Sequence, residues 1–374
     1  MSARVHNFGA GPAALPLGVL DRMQAELHDF AGTGRSILEL SHRSPEYDRI
    51  HEAARARLLR LLGLARQPDE SEADYDVLLM TGGARAQFSL VPMNLLLPGQ
   101  RADYLVTGRW SELALVAGQQ AGAARSIWSG KEGGYRAVPT PGEYRVGRDA
   151  AYLHYTSNNT IYGTQFPSIP ASGSDGGDIL LVADVSSDFL SRPFDMSRHA
   201  LVYASAQKNL GPAGVTVVVI RRDLLGRTRT DLAGVFSYRA VAAKRSLLNT
   251  PPVFAIYVVG LVLEDLEARG GLEAADLRHR EKSELLYRAI DRSDGFYLGH
   301  ADVGSRSRMN VTFRLSREDL EPRFLEEAGN RGLVGLAGHR SVGGIRASIY
   351  NGVELASVEE LVAHLDDFHS TARS

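Results

Sequence analysis

The chain contains no cysteine. Disulfides, thiolate metal sites and a cysteine nucleophile are therefore excluded. No apolar run approaches the ~18 residues needed to span a bilayer, and the opening MSARVHNFGAG has no apolar signal core, so a cytoplasmic protein is expected. An excess of either charge is also missing, since 42 Lys and Arg stand against 44 Asp and Glu, a formal net charge of −2. Such a balance gives no global field for nucleic acid or an anionic membrane, so anion recognition must come from local arginine clusters. The 11 histidines are scattered without HExxH or another close ligand spacing, and no metal is expected. Repeats, low-complexity tracts and long linkers are absent too.

What is present is 374 residues, 44% of them hydrophobic, enough for a large core and a two-domain chain. From about 70 to 225, short apolar runs alternate with helical patterns, which argues a mostly parallel sheet with helices on both faces. Before it lie a glycine- and proline-punctuated loop over 7–16, a helical stripe of Leu17, Leu20, Met23, Leu27 and Phe30, and a helix with Ser44 as N-cap and Pro45 at N1. After it come an irregular stretch over 231–244, an apolar helix over 253–268 and a charged helix over 273–292. The latter offers Leu277, Leu285, Leu286, Ala289 and Ile290 for packing. Strands over 309–315 and 345–349 and a closing helix over 358–368 complete a smaller α+β unit. The expected division is a loop segment 1–16 at the active site, a large α/β domain 17–265 and a small C-terminal domain 266–374.

The stretch 178–220 concentrates the chemistry. Its run over 179–183 reads as a buried strand with Asp184 at the carboxyl end, where a carboxylate faces the crevice of an open α/β sheet. A second run over 200–206 leads into Gln207 and Lys208, then a Gly211-Pro212-Ala213-Gly214 turn and a β-branched strand over 215–220. Burial at such a strand end lowers a lysine pKa and frees the amine to attack a carbonyl. Pyridoxal phosphate needs a Schiff-base lysine, a carboxylate for its pyridinium nitrogen and a phosphate cradle. Lys208 and Asp184 supply the first two. Gly82-Gly83-Ala84-Arg85, between a strand over 77–80 and a helix, supplies a candidate for the third, because backbone N–H groups at a helix start favour an anion.

Each residue also has a plainer reading. Asp184 serves equally to cap a loop, Lys208 to be solvated, Gly82-Gly83 to make a tight turn, and His42-Arg43 to be an exposed pair before a helix. Trp110 is either core or a flat face for an aromatic ring, and Ser157-Asn158-Asn159-Thr160 either holds a ligand or makes a turn.

The segments ADVSSDFLSRPFD and YASAQKNLGPAGVTVVVIRRDLLG, with NFGAGPAALP at Asn7 and GGIRASIYNGV at Gly343, resemble the phosphoserine aminotransferase family of class V, fold-type I pyridoxal-phosphate enzymes. The resemblance runs over nearly the whole chain. It implies a Schiff-base role for Lys208, a pyridinium partner in Asp184, a ring stacked on Trp110 and a phenolic-oxygen contact from Thr160. It further implies phosphate contacts from Ala84, Arg85 and Gln207, with Asn249 and Thr250 of an NTPP motif reaching in from the other subunit of a homodimer. For substrate it implies Arg346 on the α-carboxylate and His339-Arg340 in a side-chain anion pocket completed by the partner subunit's His42 and Arg43. Guanidinium forks suit carboxylate and phosphate alike, so one pocket accepts glutamate and phosphoserine in turn. Ala10 departs from the serine that family members often carry there.

The expected activity is amino transfer between phosphoserine and 2-oxoglutarate in serine biosynthesis, with phosphohydroxythreonine as a second substrate. Class V desulfurases rely on a cysteine that this chain lacks. A serine- or alanine–glyoxylate aminotransferase is the nearest alternative, and a non-catalytic phosphate-binding protein on the same fold is another. Four cationic residues at the side-chain pocket argue against the first, and intact Lys208 and Asp184 against the second.

Overall fold

Successive side chains of a strand point to opposite faces, so a strand that is apolar throughout must be covered on both. The computed structural model describes residues 4–65, 74–174 and 177–372. Its large sheet comprises β1 (Tyr75–Thr81), β2 (Arg101–Val106), β3 (Ala123–Ser129), β4 (Ala150–Thr156), β5 (Leu181–Asp184), β6 (Leu201–Ser205) and β7 (Val215–Arg221), in the spatial order β1-β7-β6-β5-β4-β2-β3. Val77, Leu79, Ala183, Val217 and Val219 face one core, and Leu78, Met80, Val182, Val218 and Ile220 the other. Each fully buried aliphatic side chain contributes about 1.5–3 kcal/mol.

Helices cover both faces. On the first lie α2 (Pro45–Leu61), through Ala54 and Leu58, and α5 (Val253–Ala268), through Ile256, Val259 and Leu263. On the second lie α3 (Ala84–Leu95), through Phe88, Val91 and Leu95, and α4 (Arg109–Ala121), through Ala114. The start of α2 is as expected: Ser44 Oγ accepts from the Tyr47 N–H at 3.2 Å and Pro45 opens the helix, a cap worth about 1 kcal/mol.

β7 runs antiparallel to both neighbours, while the remaining pairs of the sheet, from β6 across to β3, are parallel. The carboxyl ends of β1, β4, β5 and β6 and the amino end of β7 therefore meet at one edge. That edge carries Asp184, the Lys208 turn and the start of α3.

The smaller unit has an antiparallel sheet of β8 (Tyr297–Gly299), β9 (Asn310–Leu315) and β10 (Ile345–Ser348), backed by α6 (Gly271–Asp291), α7 (Glu321–Asn330) and α8 (Leu355–Ala372). Its core is aromatic, with Tyr297, Phe313, Phe324 and Phe368 in mutual contact. Core membership changes along α6, whose Leu272 and Ala275 join the large core and whose Leu286, Ala289 and Ile290 join the small one. No helix among the described residues is long and apolar enough to cross a membrane.

Several expectations need correction. His6–Asn7 is not loop but pairs in parallel with Leu333–Val334, because the buried Phe8 anchors the N-terminal segment in the small core. The first helix, α1 (Leu17–Glu26), buries Val19 rather than Leu17, which is 57% exposed, and Phe30 starts a separate short turn. The irregular stretch 231–244 holds a short helix, Tyr238–Ala243, capped by Ser237. Leu277 is 67% exposed, since the buried face of α6 is made instead by Leu272, Ala275, His279, Lys282, Leu286 and Ala289. β3 was not anticipated, because as an edge strand it is mostly exposed and polar.

Candidate active site

A cavity of about 290 Å³ opens at the sheet edge and is lined by Gly83, Ala84, Arg85, Phe88, Trp110, Thr156, Asn158, Asp184, Ser186, Ser187, Ser205, Gln207 and Lys208. The sequence therefore places six of its candidates, Ala84, Arg85, Trp110, Asp184, Gln207 and Lys208, around one space. Gly82 turns the chain from β1 into α3 with φ 114°, a conformation open to glycine, and no side chain caps the helix that follows. Its first N–H groups are left for an anion. Gln207 is fixed by a hydrogen bond with the Ser205 hydroxyl, and its carbonyl accepts from the Ala13 N–H at 2.9 Å. Trp110 packs partly into the second core while its Nε1 is buried without a partner among the described residues, so it is both core and cavity wall. The Arg85 guanidinium lies 5.6 Å from its ring.

Lys208 Nζ donates to Thr160 Oγ1 at 2.7 Å. Burial pulls its pKa down to about 8, with Asp184 opposing the change. Asp184 accepts from the Ser186 N–H at 3.0 Å; burial pushes its carboxyl up, and the Ser186 bonds and the Lys208 charge pull it back. A carboxyl held up by burial gains from a cationic N–H donor in the cavity, which returns it to the carboxylate form. Thr156 Oγ1, in the same wall, is buried without a partner among the described residues. A flat ring with an anion at one end and a protonated nitrogen at the other fits these groups: the α3 N-terminus for the anion, Asp184 for the nitrogen, Lys208 for a carbonyl carbon.

Thr160 links this cavity to a second group of residues. Its carbonyl accepts from Arg346 Nη1 at 3.4 Å, and Arg346 Nε is buried without a partner among the described residues. Burial lowers the Arg346 pKa, as expected of a cation taken from water ahead of its anion. His339 bonds Ser341 Oγ at 2.7 Å, and burial together with the charges of nearby Arg346 and Arg340 lowers its pKa, which favours a neutral ring beside the two guanidiniums. The hairpin carrying Thr160 approaches β9 so closely that a Cβ at Gly163 would meet Thr312 Oγ1 at 2.5 Å. Ala10 is held by Tyr350 Oη donating to its carbonyl at 3.1 Å.

Four candidates are brought neither to the cavity of their own chain nor to the Arg346 group. Arg43, Asn249 and Thr250 are exposed, His42 is half-buried, and Asn249 lines a separate apolar hollow beside Met80 and Phe236. Asn158, from the polar cluster read as ligand-holding or a turn, lines the cavity, and so do Thr156, Ser186, Ser187 and Ser205, which were not singled out in the sequence. Their signal was position: small polar residues within three places of a strand's carboxyl end.

The sequence model of the aminotransferase class-V family matches residues 5–361. A phosphoserine aminotransferase of Geobacillus kaustophilus (strain HTA426) is 53% identical over 365 residues, 98% of each chain. Among solved structures, a phosphoserine aminotransferase from Bacillus circulans subsp. alkalophilus superposes with a TM-score of 0.93 at 48% identity, over 99% of both chains. The pyridoxal-phosphate-bound phosphoserine aminotransferase from Trichomonas vaginalis gives 0.88 at 34% identity, over 97% of this chain and 100% of that one.

Proposed function

Because the chain belongs to the class-V aminotransferase family, and within it to the phosphoserine aminotransferases, we propose that it catalyses reversible amino transfer between O-phospho-L-serine and 2-oxoglutarate, yielding 3-phosphohydroxypyruvate and glutamate. 4-Phosphohydroxy-L-threonine, one carbon longer but with the same amine, carboxylate and phosphate groups, is a second substrate. One observation carries this reading: Thr160 has the Lys208 amine on its hydroxyl and the Arg346 guanidinium on its carbonyl. An amino acid held by its α-carboxylate at Arg346 thus presents its Cα to Lys208.

Pyridoxal phosphate, when bound, supplies the aldehyde carbon that accepts the amino group and the ring that accepts electrons from the Cα–H bond. Asp184 keeps the ring nitrogen protonated by offering it a buried carboxylate. Ala84, Arg85 and Gln207 hold the phosphate, Trp110 covers the ring and Thr160 orients its phenolic oxygen. Lys208, with a pKa near 8, is neutral often enough at neutral pH to act as nucleophile, and its freed Nζ then carries the Cα proton. Arg346 fixes the substrate, and His339 and Arg340 receive its second anion.

Asn249, Thr250, His42 and Arg43 act across a homodimer, Asn249 and Thr250 on the cofactor phosphate and His42 and Arg43 in the anion pocket. Their position outside their own chain's cavity supports that reading. The test is visible absorbance of the purified, cofactor-loaded protein during addition of glutamate, phosphoserine or alanine. Rapid spectral conversion by the first two and slow conversion by alanine is expected, and equal response to all three overturns the assignment.

A further inference from the structure

The buried face of α6 contains two residues that an apolar face has no use for. His279 and Lys282, one turn apart, are 2% and 4% exposed. Lys282 Nζ donates to the carbonyls of Ile349 at 2.9 Å, Tyr350 at 2.9 Å and Val353 at 2.8 Å, so all three ammonium protons find an acceptor in the turn that leaves β10. His279 Nε2 lies 2.6 Å from Asn351 Oδ1 in the same turn. Because Asn351 Nδ2 donates to the Leu190 carbonyl at 3.1 Å, its Oδ1 is the acceptor and His279 the donor.

The far side of that turn reaches the catalytic edge. The Asn351 N–H donates to Asn209 Oδ1 at 3.0 Å, and Asn209 Nδ2 donates to the Phe189 carbonyl at 3.0 Å. Asn209 follows Lys208, Phe189 and Leu190 lie just beyond Asp184, and β10 carries Arg346. Leu190 itself holds φ 57°, a left-handed conformation that a leucine keeps only when its surroundings fix it. One buried turn is therefore clamped by α6 on one side and grips the Lys208 and Asp184 segments on the other.

We propose that His279 and Lys282 are positioning residues for amino transfer, setting the separation between Lys208 and Arg346 through the turn 349–353. Neither touches substrate or cofactor. The inference rests on the reaction proposed above, and its consequence is specific: loosening the clamp degrades proton movement between the substrate Cα and Lys208, because reacting groups misplaced by an ångström lose rate steeply.

His279→Leu removes the donor to Asn351, and His279→Gln restores one. The readouts are amide hydrogen exchange in 209–210 and 349–353 of the cofactor-free protein, and the single-turnover rate with glutamate and with Cα-deuterated glutamate, per loaded site. For His279→Leu we expect faster exchange in both segments, a rate lower by roughly ten- to a hundredfold and a larger deuterium isotope effect. His279→Gln recovers most of the rate and the wild-type isotope effect. Lys282→Met should act in the same direction; if it fails to fold, the His279 pair still decides. Unchanged exchange in 209–210, or a rate per loaded site and an isotope effect equal to wild type in His279→Leu, overturns the proposal. Failure of the wild-type protein to react with glutamate would instead overturn the functional reading, while the exchange data still test the clamp.

Discussion

The two halves of the candidate site are built differently. Most of the groups proposed for the cofactor, namely Lys208, Asp184, Gln207, Trp110 and the start of α3, line one cavity of one chain, and only Asn249 and Thr250 are proposed to reach in from a partner. The groups proposed for substrate are divided: Arg346, His339 and Arg340 stand together on the small unit, while Arg43 is exposed elsewhere on the surface. A buried strand end fixes its own chemistry, because the sheet register that fills the core also sets where the next residue points. An exposed loop residue has no such constraint and acquires a place only when another surface meets it.

That contrast can be broken by mutation, and the largest effect should fall in the self-contained half. Lys208→Ala removes both nucleophile and proton carrier, so amino transfer should fall by roughly 10²–10⁴-fold or more while the protein still folds. Borohydride reduction of the loaded wild-type protein followed by peptide mapping should label Lys208, and label on another lysine would reject the assignment. Asp184→Asn should leave the cofactor bound and slow the half-reaction by about a hundredfold, since a neutral amide cannot hold the ring nitrogen protonated. Single-turnover rates near wild type would dismiss that role.

In the divided half the effect should be smaller and selective. Arg340→Ala or Arg43→Ala removes charged hydrogen bonds worth about 1.5–3 kcal/mol, roughly ten- to a hundredfold in rate or affinity for phosphoserine, with little change for alanine. Arg346→Ala should weaken every amino acid alike. Mixing Lys208→Ala with Arg43→Ala protomers sharpens the comparison further: one site per heterodimer would have both residues, so partial recovery is expected. No recovery despite demonstrated subunit exchange would refute the shared site.

The last effect concerns stability, and it lies behind the cavity. Burial lowers the pKa of His154 to about 3 and of His199 to about 4. His154 Nε2 meets Tyr203 Oη at 2.8 Å, and His199 Nε2 meets Tyr155 Oη at 2.8 Å, so each is held as a neutral ring. Between these values and the ordinary histidine pKa of about 6.5 the unfolded chain binds more protons than the folded one, and stability must fall as pH falls. The stabilisation is complete above about pH 6.5 and is lost progressively toward pH 4. Denaturant midpoints measured from pH 7 down to pH 4.5 should decrease steadily. A flat profile would show that these rings are protonated inside the fold.

The sequence by itself determined the sheet-and-helix alternation, the cap at Ser44, the strand-end positions of Asp184 and Lys208, and the membership of the class-V family. These follow from periodicity, from turn chemistry and from motifs contiguous in the chain, which local physics can read. Only the tertiary structure decided that Thr160 stands between Lys208 and Arg346, that Phe8 ties the N-terminus to the small core, and that α6 turns His279 and Lys282 inward while Leu277 faces water. The physical reason is that a helical stripe reports which residues share a face, whereas the partner waiting across that face belongs to distant sequence. Where the partner is a turn that aims several carbonyls at one point, as at Ile349, Tyr350 and Val353, a buried ammonium outcompetes a leucine.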